Sequence, residues 1–149
     1  EYRMTSQLNV DTIVDKAGSG GSNVKMANTS TYVGEGGSGT QNTVQSLGKV
    51  FINFNGTSTI ATRDSFNTSS IADLGTGNYR VVFNNNMSNG NYTNVLNCNH
   101  TSSFNGMFGS TDTGTGLPTT AQLEFFTCSA HTTNNDSRTV QMATFGDLA

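Results

Sequence analysis

The residue types that could bind a metal ion are few in this chain and far apart. His100 and His131 are the only histidines, and they could act as ligands if their strands meet with Asp112 or Asp136 nearby. Two separated histidines in polar loops are more often solvated. We therefore expect neither a metal ion nor any other cofactor.

Residues suited to catalysis are equally sparse. A serine hydrolase would place its nucleophile in a Gly-x-Ser-x-Gly turn, which this chain lacks. A glycosidase needs two facing carboxylates, and Glu124, in a buried-looking strand, has no evident acidic partner. We expect Glu124 to face solvent or to pair with an arginine. No glycine-rich segment leads into a helix as a phosphate-binding loop would, so the sequence predicts that the protein is not an enzyme.

Arg63 and Asp64 are adjacent in a chain of which only 11% is charged. Neighbouring residues of a regular strand face opposite sides of the sheet, so each needs its own partner. Arg63 would share a face with Thr57, Thr59 and Ala61, a small polar surface that could contact another subunit or a glycan. Asp64 could accept backbone N–H bonds at a turn. A structural role, fixing a turn and an interface, is favoured over a ligand site.

The overall composition predicts an ordered but thinly packed β protein. Only 33% of residues are hydrophobic, tryptophan is absent, and the formal net charge is −3. Disorder normally accompanies high net charge and few aromatics, whereas this chain is rich in threonine and phenylalanine, which suit pleated strands. The chain has no basic patch for nucleic acid and no apolar run of membrane-spanning length. Its small core favours assembly with neighbouring subunits.

Alternation of apolar and polar residues from residue 48 onward predicts a series of short strands. One such strand, at 123–130, should be buried on both faces. Together they predict an all-β protein, an antiparallel, jelly-roll-like β-sandwich spanning residues 48–149. The apolar residues predicted to share one face of their strand are Val50, Ile52 and Phe54; Tyr79, Val81 and Phe83; Tyr92, Leu96 and Cys98; Leu123 and Phe125; and Val140 and Met142.

Turn signals separate these strands. Three Asn-Gly pairs, at 55–56, 89–90 and 105–106, predict type I′ hairpins, because both central residues of that turn need a positive φ. Gly-Thr-Gly at 75–77 and at 114–116 predicts longer turns. Cys98 and Cys128 could form a disulfide if their strands are adjacent, or remain buried thiols, and the sequence leaves both open.

Residues 1–47 differ from the rest of the chain in composition and pattern. An alternating segment at 5–16 is followed by glycine-rich stretches at 17–23 and 34–40, which are typical of flexible linkers. We therefore expect an extended N-terminal arm of short strands and glycine-rich linkers. Such an arm is suited to docking on another protein.

The segment "GKVFINFNGTSTIATRDSFNTSSIADLGTGNYRVVF", residues 48–83, strongly resembles a module of tail fibres and related virion proteins of bacteriophages, marine ones in particular. Residues 84–95 resemble the next strand-turn-strand of that module, and residues 6–21 are similar to the piece that often precedes it. Leu74 and Phe51 depart from the pattern, which has a polar turn residue and a tryptophan at those positions. The matching residues are Phe54, Gly56, Thr57, Arg63, Asp64, Ser65, Phe66, Asn67, Ser69, Ser70, Ile71, Gly75, Thr76, Gly77 and Tyr79.

The resemblance implies a structural protein of the virion surface that forms a homotrimer, with the N-terminal arm attached to other virion proteins. It carries no catalytic residues. It implies that a structural motif of eight residues belongs to the scaffold, with the charged pair fixing a corner between strands. These residues are Arg63, Asp64, Ser65, Phe66, Asn67, Gly75, Gly77 and Tyr79.

The leading functional hypothesis is a small tail-fibre or tip protein whose loops, at 98–120 and 129–138, bind a glycan or protein of the host surface. Amide and hydroxyl groups would hydrogen-bond a sugar while Phe104 and Phe108 stack on it; alternatively, the loops are only exposed linkers. A capsid decoration or head-fibre protein without a receptor role is the main alternative, and a glycan depolymerase is a third. The candidate ligand-binding residues are His100, Phe104, Asn105, Phe108, His131, Asn134 and Asn135.

Overall fold

A computed structural model of the chain describes residues 31–33, 39–99, 108–111, 118–130 and 133–149. Most of these residues lie in β-strands, and the helix within these ranges is a single turn, α1 Thr43–Ser46. No helix in the described part of the chain is both long and apolar enough to cross a membrane. The strands are β1 Thr31–Val33, β2 Thr40–Asn42, β3 Gly48–Asn55, β4 Ala61–Phe66, β5 Thr68–Gly75, β6 Asn78–Phe83, β7 Thr93–Asn99, β8 Phe108–Thr111, β9 Gln122–Ala130, β10 Thr133–Asn134 and β11 Thr139–Phe145.

Two antiparallel sheets pack together, so the β-sandwich predicted from the sequence is confirmed. One sheet has the strand order β4-β3-β11-β7, and the other has the order β10-β9-β6-β5, with β8 also paired to β9. Consecutive strands cross repeatedly between the sheets. As a result, strands that lie side by side, such as β3 and β11, are distant in the sequence.

The core lies between the two sheets and follows the predicted alternation. Phe54 of β3 meets Tyr79 of β6 edge-to-face, with ring centroids 5.0 Å apart, and both are fully buried. Phe125 of β9 completes this aromatic cluster. Strand β9 is buried on both faces, as predicted, because Glu124 and Cys128 are also shielded from solvent. Apolar burial of this kind is the main term that holds such a sandwich together.

The type I′ hairpins predicted at residues 55–56 and 89–90 are wrong. Among the described residues, positive φ occurs at Ser58, Asn67, Gly75 and Gly77, so neither Asn-Gly pair has the required backbone. Glycine is needed at position 56 for another reason. A Cβ there would lie 2.9 Å from the Ser137 carbonyl oxygen and would clash with the buried Tyr79 hydroxyl. The third pair, at 105–106, lies outside the described residues.

Strands β1 and β2 form a separate two-stranded sheet within the predicted arm. The strand predicted at residues 5–16 lies outside the described residues. Cys98 and Cys128 are both reduced thiols and are not joined in a disulfide. Burial raises the pKa of the Cys98 thiol above its usual value, which keeps this group protonated and unreactive near neutral pH.

Candidate functional site

The corner between the two sheets is built around Asn67, which lies between β4 and β5. Its φ is +56°, a left-handed conformation that asparagine tolerates better than most residues. Its buried side-chain amide donates to the Lys49 carbonyl at 3.0 Å and to the Asn85 carbonyl at 3.1 Å. The side-chain oxygen accepts the Asn85 backbone N–H at 2.7 Å. Asn67 therefore ties the corner to β3 and to the loop after β6.

Arg63 lies at a β-bulge in the edge strand β4. Asp64 is the register partner of Asn53 and Thr62 that of Phe54, so the register passes over Arg63 between them. A bulge leaves one extra residue on one strand and redirects its side chain. The regular strand assumed in the sequence analysis is therefore interrupted at the charged pair.

The Arg63 guanidinium crosses from β4 to the two central strands. It donates to the Arg138 carbonyl at 2.7 Å and to the Phe54 carbonyl at 3.1 Å. Longer bonds of 3.3 Å reach the Asn53 side-chain oxygen and the Thr139 hydroxyl. These contacts fasten the edge strand to β3 and to the start of β11, so the guanidinium is committed to the scaffold.

Tyr79 and Gly77 belong to a polar cluster at one end of the sandwich. The Tyr79 hydroxyl donates to the Gly56 carbonyl at 3.1 Å and to Asp136 Oδ1 at 3.3 Å. The same carboxylate oxygen accepts the Gly77 backbone N–H at 2.6 Å. Burial, and secondarily the Asp136 charge, raises the pKa of Tyr79 to about 12. The hydroxyl therefore remains a donor throughout the neutral range.

A line of hydrogen-bonding side chains crosses the solvent-facing side of the four-stranded sheet. Register places Asp64 beside Asn53, Asn53 beside Gln141, and Gln141 beside Asn97. We call these four residues the polar row. At a strand spacing of about 4.8 Å, it extends over roughly 14 Å. Asn97 donates from Nδ2 to Gln141 Oε1 at 3.0 Å, and Asp64 Oδ1 accepts its neighbour's backbone N–H at 2.8 Å.

A second line of side chains runs parallel to the polar row, two residues along each strand. It consists of Phe66, Phe51, Ala143 and Val95, again in register, and we call it the apolar row. Phe66 is 54% exposed and Val95 57% exposed. The rings of Phe51 and Phe66 stack with centroids 6.2 Å apart and planes 18° from parallel. A shallow depression of about 360 Å³ lies over the residues of both rows except Phe66. We call the surface formed by the two rows the outer face.

The predicted ligand-binding loops are only partly described. His100, Phe104, Asn105 and His131 lie outside the described residues. Phe108 begins strand β8 rather than lying in a loop, and it and Asn134 are both register partners of Cys128 on β9. Asn135 bonds to Thr127 through its backbone N–H and carbonyl oxygen, at 3.0 Å and 2.6 Å. Phe108 and Asn134 therefore lie on two different strands that both pair with β9.

Glu124, the acid considered for catalysis in the sequence analysis, has a structural partner. Glu124 pairs with Arg80, whose Nε donates to Oε1 at 2.5 Å and whose Nη2 contacts the same oxygen. Of the two alternatives left open by the sequence, the arginine pair is the one observed. In the ranges that the structure describes, no group of three or more His, Cys, Asp or Glu residues could hold a metal ion.

The outer face was missed in the sequence analysis because its residues are dispersed between positions 51 and 143. The signal that could have found it is the set of outward positions alternating with the buried ones. Asn53 alternates with Ile52 and Phe54, and Gln141 with Val140 and Met142. Alternation identifies the outward positions, but only the pairing of four strands aligns them in rows.

Comparisons with protein-family models, with curated proteins and with solved structures found no match for this chain.

Proposed function

We propose that this chain is a structural protein of a bacteriophage virion, a small tail-fibre or tip protein that lies at the particle surface and binds the host surface. The resemblance of residues 48–83 to phage fibre modules supports the virion assignment. The observation that carries the binding role is the outer face, where exposed phenylalanines lie beside a row of amide and carboxylate groups. Exposed apolar patches rimmed by polar residues are typical of interaction surfaces.

The protein acts as a homotrimer attached to other virion proteins through its N-terminal arm. The low hydrophobic content of 33% supports this assembly, because subunits can bury surface that one chain leaves exposed. Leu47, at the junction between the arm and β3, is 58% exposed. An apolar side chain exposed at that junction is suited to contact with another chain.

The location in the particle tests the virion assignment. Antibodies raised against residues 48–149 would be applied to purified particles of the phage that encodes the chain and imaged by electron microscopy. Labelling of the tail tip, together with reduced adsorption to host cells, is the expected result. Labelling confined to the capsid would favour a decoration or head-fibre protein instead, and particles that lack the protein would overturn the proposal.

The assembly state is tested separately by analytical ultracentrifugation of the full chain. A trimer has three times the 15.7 kDa mass of one chain. A stable monomer at high protein concentration would contradict the trimer, and the outer face would then have to bind the host as a single copy.

A further inference from the structure

We infer that the outer face of the four-stranded sheet is a binding site for an uncharged, polyhydroxylated chain, that is, a neutral polysaccharide. This inference deepens the host-binding part of the proposed function and rests on it. It places the ligand on the polar and apolar rows rather than on the loops at 98–120 and 129–138.

The polar row offers the mixture of donors and acceptors that hydroxyl groups require. A hydroxyl both donates and accepts, and an amide side chain supplies one acceptor oxygen and two N–H donors. Asn53, Gln141 and Asn97 are amides on three neighbouring strands, and the Asp64 carboxylate extends the line with a strong acceptor. Their regular spacing, about 4.8 Å from strand to strand, matches a linear ligand with repeated hydroxyl groups.

Part of this row is already held in position. The Asn97–Gln141 bond uses only Asn97 Nδ2 and Gln141 Oε1, so Asn97 Oδ1 and Gln141 Nε2 are not used in it. Arg63 bonds to the Asn53 side-chain oxygen, which orients its amide nitrogen away from that contact. Side chains fixed before binding lose less conformational entropy when a ligand arrives.

The apolar row supplies the second element of such a site. Phe51 lies two residues from Asn53 on the same face of β3, and its ring stacks with that of Phe66. Binding sites for small ligands combine apolar and aromatic surface with a few well-placed polar groups. The C–H surfaces of a sugar ring can pack on these rings while its hydroxyls reach the polar row.

The charges at this face favour a neutral ligand. The Asp64 carboxylate repels anionic groups such as sulfates and uronates. The nearest cation, Arg63, directs its guanidinium to the carbonyl oxygens of Arg138 and Phe54. An anionic polysaccharide would therefore meet a carboxylate and find the adjacent guanidinium already bonded to the protein.

The size of the face argues against a second copy of the chain as its occupant. The 28 residues of its four strands, each about 4.8 Å wide and rising about 3.4 Å, cover roughly 460 Å². A standard protein–protein interface buries about 800 Å² on each partner. Half of the residues in the two rows are polar, whereas the buried core of a protein–protein interface is mainly apolar. A slender ligand fits this footprint better.

Titration of the full chain with soluble oligosaccharides tests the inference. The probes are neutral oligomers of glucose, mannose and N-acetylglucosamine, with a sulfated oligosaccharide as the anionic arm, and the readout is NMR chemical-shift change or calorimetry. Gln141→Ala removes one amide from the polar row, and Phe51→Ala removes one ring. Gln122→Ala, the matched control, makes the same change on β9 of the other sheet, away from both rows.

At least one neutral oligomer should bind, with Gln141→Ala weakening it about fivefold to tenfold, as expected for one lost hydrogen bond. Phe51→Ala should weaken binding similarly or more, while Gln122→Ala leaves the Kd unchanged. Tighter binding of the sulfated oligosaccharide, or binding of none of the neutral oligomers, would overturn the inference. Association of the wild-type chain that Phe51→Ala abolishes, without sugar binding, would assign the face to a second copy instead.

One further outcome separates this inference from the proposed function. Sugar binding that Asn134→Ala abolishes, but that both outer-face variants leave intact, would place the site in the loops. That result would overturn the inference about the outer face and leave host binding by the virion protein in place.

Discussion

The Tyr79 hydroxyl donates a hydrogen bond to the carbonyl oxygen of Gly56 at 3.1 Å. Gly56 directly follows a strand of the four-stranded sheet, and Tyr79 belongs to the other sheet, so this bond joins the two layers at one end of the sandwich. The Gly56 backbone N–H donates in turn to the Ser137 carbonyl at 2.8 Å. The glycine is enclosed on both sides, and the absence of a side chain permits this approach.

Gly56→Ala should therefore lower the free energy of unfolding by about 2 kcal/mol or more, as overpacking does in a filled site. The added Cβ would meet the Tyr79 hydroxyl and the Ser137 carbonyl oxygen, the latter at 2.9 Å. Gly48→Ala is the matched control, because the nearest atom to its Cβ is 3.9 Å away. Urea denaturation of both variants is the measurement, and equal stabilities would contradict the close approach.

Asn67 combines a strained backbone with a buried hydrogen-bonding side chain, and two substitutions separate these terms. Asn67→Ala should lower the free energy of unfolding by about 3 kcal/mol. It removes the hydrogen bonds that Asn67 makes to the Lys49 carbonyl and the Asn85 backbone N–H, and it places alanine at a φ of +56°. Asn67→Gly loses the same bonds but tolerates that φ, and should be more stable than Asn67→Ala by about 1 kcal/mol. An alanine variant as stable as the glycine variant would show that the backbone conformation costs nothing.

Arg63→Lys tests whether the guanidinium fork, rather than its charge, holds the edge strand. A lysine ammonium cannot reproduce the divergent bonds to the carbonyls of Arg138 and Phe54. Because the side chain is exposed, the expected loss of stability is modest, about 1 kcal/mol. Arg138→Lys is the control, since it makes the same change but keeps the Arg138 carbonyl. The prediction fails if the two variants melt at the same temperature.

Stability should fall in alkaline solution as the two buried tyrosines ionise. Burial raises the pKa of Tyr92 to about 12, and burial with the nearby Asp136 charge raises that of Tyr79 to about 12. An unfolded tyrosine loses its proton near pH 10, so the folded state binds more protons between pH 10 and pH 12. The stabilisation is complete below pH 10 and is lost toward pH 12, at about 2 to 3 kcal/mol for each tyrosine.

Lys49 acts in the opposite direction, because burial lowers its pKa from 10.5. Its titration makes the protein more stable as the pH rises toward 10.5, so the tyrosine effect is clearest above that value. Tyr92→Phe isolates the contribution of one ring. Its free energy of unfolding should depend less steeply on pH in that upper range than that of the wild type. Identical slopes for the two proteins would refute the assignment.

Local sequence was sufficient to identify most of the longer strands and their buried faces, but it assigned β8, at Phe108–Thr111, to a loop. Val50, Ile52 and Phe54 share one face of their strand, as predicted, and all three are buried. The period of two in a strand makes this inference possible, because side chains alternate between the faces. The same reasoning failed at residues 55–56. There, glycine is required by the close approach of Tyr79 and Ser137, and a sequence does not reveal which distant side chain will arrive.

The amino-acid sequence by itself therefore determined the class of fold, since composition and alternation leave little besides packed, pleated strands. Tertiary structure alone decided where the candidate binding residues meet. Asp64, Asn53, Gln141 and Asn97 form a row only because β11 inserts between β3 and β7 in one register, and a shift of one residue would turn every second side chain to the opposite face. Strand pairing across this distance depends on how the two layers pack, which no local segment encodes.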